Sequence, residues 1–195
     1  MFILGHLGIG KKIANPWIRG ASLPWFFFGA LLPDLIDKPL YYGLASVTGL
    51  SGLDLGLISG TRTVGHTFVF LLTMASVAAF SKSRKLSSVC LGVATHILLD
   101  SVMDQIGIHK PEAAGSIAYL FPLKGWRFPV SEHTSLREHF LSLRKIQIVV
   151  AEGIGVALLI WDYWKEHHTF NILQNFRLKR NFFRKRKWRG VRRSN

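Results

Sequence analysis

Three long segments almost free of charge constrain this chain more than any other feature. Val64 to Phe80 is seventeen residues without Asp, Glu, Lys or Arg, Leu86 to Leu99 is a second uncharged run, and Ile146 to Trp164 is nineteen residues broken only by Glu152 and Asp162. Such runs read as helices in or on a bilayer, because a backbone in hydrocarbon has to satisfy its own hydrogen bonds. Trp161, Tyr163 and Trp164 gather at the end of the third run, in the manner of an interfacial aromatic belt. The composition agrees: 49% of residues are hydrophobic, 18% are charged and mean hydropathy is +0.24, which excludes a disordered or heavily solvated chain. The expected fold is all-α, a multi-helix integral membrane protein with its helices around a polar site. A monotopic arrangement, embedded without crossing, fits the shorter runs nearly as well.

The 195 residues allow one membrane-embedded domain, 1–176, followed by a tail, 177–195. Ten of the chain's Lys and Arg residues lie between Arg177 and Asn195 with no acid among them, interleaved with Phe182, Phe183 and Trp188. Outside that tail the formal charge falls from +14 to +4. A tail of this kind suits anionic lipid at a cytoplasmic surface, at about 1 kcal/mol per basic residue. Nucleic acid is the rival partner and would show steep salt dependence. The basic loop Lys82 to Lys85 and the tail both claim the cytoplasmic side, which gives a multi-pass inner-membrane topology with the second run leading outward and the third returning.

Elsewhere the chain is less regular. Met1 to Ile9 is apolar but lacks leading basics and a cleavage site, and is not read as a signal peptide. Leu23 to Leu32, bounded by Pro24 and Pro33, reads as a ten-residue buried or re-entrant helix, and Leu40 to Gly60, with turn signals at Thr48-Gly49 and Ser51-Gly52, as a connection with room for one short helix. Gly107 to Arg144, with Pro111, Pro122 and Pro129, reads as a polar loop or cap outside the hydrocarbon.

Cys90 is the single cysteine, so no intramolecular disulfide or four-cysteine zinc module can form and any metal must use His and carboxylates. His96 and Asp100 are four apart and share a helical face. Asp34 and Asp37 are three apart and share one too if a helix follows Pro33. His66 stands at the mouth of an apolar run, and His6 lies in the apolar opening segment. In low dielectric such groups have to be paired, hydrogen-bonded or metal-bound, and a shared divalent cation would satisfy several together. His with carboxylate suits Zn, Mn or Fe, with an open position for a water nucleophile. Arg62 is placed to hold a phosphate or a developing negative charge, and Thr67 to orient a ligand. The plainer alternatives are a helix–helix hydrogen bond for His6, a hydrogen-bonded surface pair for His96 and Asp100, and helix caps for Asp34 and Asp37. Asp104 reads as an exposed residue at the helix exit. Glu152 fits a helix–helix hydrogen bond better than a general base, and His133, His139, His167 and His168 are read as interfacial. There is no Walker loop and no Gly-x-Ser-x-Gly elbow, and Gly5 to Gly10 lacks the order of a dinucleotide fingerprint.

Taken together, His6, Leu31-Leu32-Pro33-Asp34-Leu35-Ile36-Asp37, Arg62 to Thr67 with His66, His96 to Asp100 and Phe121-Pro122 resemble the membrane-bound metal-dependent hydrolase family of bacteria and archaea, which includes a LexA-regulated inner-membrane protein. The resemblance covers about the first 125 residues. That family is distantly similar to zinc-dependent phospholipase C, so the resemblance implies a phospholipase C-like all-α core, zinc, and phosphoesters or phospholipids as substrates. It implies His6, Asp34, Asp37, His66, His96 and Asp100 as metal ligands. Arg62 and Asp37 are the residues expected to take part in catalysis. No later His-x-x-x-Glu is present, and Val64-Gly65 departs from the phospholipase pattern, which points to one or two metals rather than three. The reading from a different class is a non-enzymatic membrane protein with a structural metal, whose basic tail recruits lipid, nucleic acid or a protein.

Overall fold

The computed structural model describes residues 3–18, 22–103, 115–126, 128, 130, 135–141, 145–166 and 168, and the regular secondary structure among them is entirely helical. The basic tail, Asp104, Pro111, Pro129, His133 and His167 lie outside the described residues. Met1–Val156 forms one compact unit and Ala157–Asn195 a second.

Helix α1 spans Ile3–Ala14, with Lys11 and Lys12 in its last turn, where positive charge complements the helix dipole. Helix α2 spans Leu23–Thr48, 26 residues, with Pro24 in its first turn. It corrects two expectations at once: Pro33, expected to close a helix, lies inside one together with Pro39, and Leu40 to Thr48 continues that helix instead of forming a connection. An interior proline removes one backbone hydrogen bond and crowds the preceding turn, but packing along the rest of a long helix can outweigh that loss. The actual stop is the turn signal at Thr48-Gly49. Gly49 takes φ 70°, which a residue without a Cβ adopts freely, and its N–H caps the Ala45 carbonyl.

Short 3₁₀ turns at Gly52–Leu55 and Val64–His66 lead to α3, Phe68–Ser81. The apolar run from Val64 was expected to span the bilayer as a unit, but its helix begins only at Phe68. Thr67 supplies the reason: its Oγ1 accepts the Phe70 N–H at 3.0 Å while donating to the Val64 carbonyl at 2.8 Å, which fixes the N-cap there. Fourteen residues rise about 21 Å, short of the roughly 30 Å hydrocarbon layer.

Helix α4 spans Arg84–Met103, followed by a 3₁₀ segment Gly115–Leu120, α5 at Leu136–Leu141 and α6 at Ile146–Glu166. Among the described residues, α4 and α6 are the two helices long and apolar enough to cross a membrane, where three spans were expected. Half of the apolar window of α4 is buried within the protein, against 17% for α6.

The buried stripe of α4, Val89, Gly92, Val93, His96, Leu99 and Asp100, follows helical periodicity and faces α2. At the crossing, a Cβ on Gly92 would overlap the Phe26 carbonyl and the Ala30 amide, and one on Gly29 would overlap the Val89 backbone. The two helices therefore touch backbone to backbone. Ala14, Phe26 and Ala30 form the buried apolar core beside this contact, packed by Leu7, Ile18, Leu23, Phe27 and Leu91. The polar site lies along the same faces, one to two turns further on.

Candidate metal centre

Six side chains from four segments meet: His6 of α1, Asp34 and Asp37 of α2, His66 of the 3₁₀ turn, and His96 and Asp100 of α4. His6, Asp37, His66, His96 and Asp100 are buried. All six residues named as metal ligands from sequence are thus brought to one place, together with Arg62.

The hydrogen bonds decide which atoms face the centre. His96 Nδ1 lies 2.7 Å from the Ala30 carbonyl, which can only accept, so Nδ1 donates and Nε2 carries the lone pair in the neutral ring. His66 Nδ1 lies 2.7 Å from Asp37 Oδ2. Asp37 also accepts the Thr63 N–H at 2.7 Å and the Gly65 N–H at 3.0 Å, so its carboxylate is an acceptor throughout and His66 Nδ1 donates. Both lone-pair nitrogens then face inward, with His66 Nε2 and His96 Nε2 at 3.1 Å. Asp34 Oδ1 lies 3.6 Å from the first and 4.0 Å from the second, and Asp100 Oδ2 lies 3.6 Å and 3.7 Å away.

Asp37 accordingly turns away from this focus. It orients His66 from behind and ties the loop of Thr63 and Gly65 to α2, an arrangement common behind metal-binding imidazoles. Gly65 is part of that fit, since a Cβ there would press on the Pro33 backbone at 3.0 Å. Thr67, expected to orient a ligand, caps α3 instead.

Two cations border the cluster. Lys38 Nζ lies 2.6 Å from Asp34 Oδ2, and Arg62 Nη2 lies 3.0 Å from Asp100 Oδ2, both with partly exposed side chains. Burial alone would raise the Asp34 carboxyl, but the Lys38 ammonium beside it holds it below the ordinary carboxylate range. The i,i+4 spacing of Asp34 and Lys38 is the sequence signal by which Lys38 could have been found.

His6 completes the site from the other side. Its ring stacks on His96 with centroids 3.8 Å apart and planes 13° apart, and its Nε2 lies 3.3 Å from Asp100 Oδ1. Neither ring nitrogen has a hydrogen-bond partner although the residue is 1% exposed. Two overlapping groups, Asp34 with His66 and His96, and His6 with His96 and Asp100, each bring three ligand atoms within 4.8 Å of one another. Converging lone pairs, carboxylate oxygens and an orphaned buried imidazole fit a divalent cation.

Other described histidines and aromatics make contacts of their own. His139 stands edge-on to Tyr42, His168 lies beside Trp164, and Phe121 of Phe121-Pro122 stacks on Phe128 at 4.5 Å. Glu152 contacts the start of α1 instead of the cluster.

Among the described residues the regular structure is all helical, two helices are long and apolar enough to cross a membrane, and buried His and Asp side chains form a candidate metal site, which fits the class of helical membrane proteins. The chain belongs to the YdjM inner membrane protein family, whose pattern it matches over residues 2–169. Comparison with curated proteins and with solved structures gave no match.

Proposed function

We propose that this protein is a membrane-bound metal-dependent hydrolase that cleaves phosphoesters, with phospholipid as the substrate class that membrane embedding favours. The observation that carries the reading is the 3.1 Å approach of two imidazole Nε2 atoms whose Nδ1 atoms are both committed to acceptors. Two lone pairs facing each other among carboxylates repel unless a cation lies among them. His66, His96, Asp34 and Asp100 would hold that ion, with His6 adding a ligand toward a second. A divalent cation, Zn or else Mn or Fe, supplies Lewis acidity there and lowers the pKa of water toward neutrality.

The chain's own residues carry the other roles. Arg62 and Lys38 present positive charge at the partly exposed edge of the centre, suited to the oxygens of a phosphoryl group. Asp37 acts on the reaction through His66, fixing its tautomer and ring plane. Ala30 does the same for His96.

In this reading α4 and α6 cross the inner membrane. Lys82, Arg84 and Lys85 mark the cytoplasmic end of α4, Asp100 lies toward the outer end, and the basic tail 177–195 returns to anionic lipid on the cytoplasmic side. Reporter fusions after Lys85 and at the C terminus are expected to report cytoplasmic locations, and two extracytoplasmic signals would reject the topology.

The decisive experiment is metal content by elemental mass spectrometry on detergent-purified protein, followed by assay on phospholipid vesicles. Stoichiometric metal in the wild type, lost in His96→Ala and Asp100→Ala, together with release of phosphorylated headgroup or phosphate, is the expected result. Metal retained without turnover on phosphoesters would assign the ion a structural role in a non-enzymatic protein. No metal after reconstitution would remove the reading altogether.

A further inference from the structure

Glu152 lies in the apolar first half of α6, where an ionised carboxylate is unfavourable unless it is closely partnered. Its oxygens are directed at α1. Oε2 accepts the Leu4 N–H at 2.9 Å and Oε1 the Gly5 N–H at 3.0 Å. The opening amides of a helix have no acceptor within it, and α1 has no acidic residue of its own in its first turn. The missing acceptors come instead from a helix nearly 150 positions later in the chain, placing a negative group at the positive end of the α1 dipole.

The same crossing is closed by glycines. A Cβ on Gly8 would overlap the Gly155 backbone, and one on Gly155 would overlap the Leu4 carbonyl, so α1 and the start of α6 meet without intervening side chains. His6 follows Gly5 directly and carries its ring into the cluster, where neither nitrogen is hydrogen-bonded. The ring stacks on His96 but has no hydrogen bond to lock its height along that face. Beyond this stacking and the 3.3 Å approach of Nε2 to Asp100 Oδ1, its placement comes from the backbone of α1.

We infer that Glu152 is a positioning residue for the metal centre: by capping α1 from α6 it sets His6 against His96 and Asp100. The inference rests on the metal reading above and adds a residue outside the cluster on which half of the cluster depends. Glu152 is not a general base here, because both oxygens are turned to the α1 backbone. Glutamine is an imperfect substitute, since its NH2 group would face one of the two amide donors.

The test uses full-length protein in detergent, with Zn(II) affinity read by competition against a chromophoric chelator and backbone opening by hydrogen exchange. Glu152→Ala is expected to weaken Zn(II) binding about 10- to 100-fold, the range for loss of an outer-shell support. Glu152→Gln, which keeps one acceptor and guards against misfolding of the alanine variant, should fall between. In a His6→Ala background Glu152→Ala should cause no further loss, because its effect runs through His6. Equal losses in both backgrounds, or no loss in either, would overturn the assignment. The Leu4 and Gly5 amides should also exchange faster in Glu152→Ala, and unchanged exchange would overturn it too. Absence of Zn(II) binding by the wild type would instead reject the metal reading, leaving exchange alone to decide whether Glu152 holds α1.

Discussion

The two halves of the candidate metal centre are built by different means. On one side, His66 and His96 are each held from behind at Nδ1, by Asp37 and by the Ala30 carbonyl, and Asp34 is paired with Lys38. On the other, His6 meets His96 and Asp100 with no hydrogen bond at its ring, and depends on the docking of a twelve-residue helix. The first half is preorganised by contacts to the ligands themselves, the second by contacts to the backbone that carries the ligand. A fixed ring tolerates small movements of its helix poorly but resists them well. A ring held only through its helix inherits every displacement of that helix.

His96 is shared by both halves, so His96→Ala should give the largest effect, loss of stoichiometric metal by elemental analysis with helical circular dichroism retained. Metal unchanged in that variant would break the picture of one joined centre. His66→Ala and His6→Ala should differ, the former removing most of the bound metal and the latter leaving the ion held by Asp34, His66 and His96. Equal residual metal in the two would erase the distinction between the halves. Asp37→Asn keeps every inward-facing ligand yet places an NH2 group among three donors, so chelator competition should show roughly 10- to 100-fold weaker binding. Acidification should release the ion from wild type, because imidazole nitrogens must be unprotonated to ligate, and Asp37→Asn should release it at a higher pH. The smallest effect is expected for Thr67→Val, which removes the α3 cap at a cost of about 1 kcal/mol in thermal stability while leaving metal content unchanged.

The clustering of these residues was legible because His and Asp in apolar segments are rare, and His96 with Asp100 already share a face by spacing alone. What the spacing did not reveal was direction. Asp37 was grouped with Asp34 as a ligand, but three residues along α2 were enough to aim it at the back of His66 instead of the centre. The fold was legible in class and misjudged in length. Pro33 reads as a boundary, since local rules place proline at helix ends, whereas packing against α4 carries α2 through it and through Pro39. Val64 to Phe80 failed in the opposite sense, because apolarity does not register the Thr67 cap that starts α3 late. The role of Glu152 could not be read from local pattern, its partners being 147 and 148 residues away.

Arg62 and Lys38 have a consequence that concerns the order in which ligands arrive. With imidazoles neutral, Asp34, Asp37 and Asp100 are nearly balanced by Arg62, Lys38 and the further positive charge that acts on Asp100. A divalent ion would make the cluster positive, and a second would add to that. Among buried side chains such a charge would be felt at long range, since little solvent is present to screen it. The metal-free cluster would therefore offer an anion no net attraction, whereas the loaded one would attract it. Cation first and anion second becomes the favoured sequence, imposed by charge alone and requiring no movement of the protein.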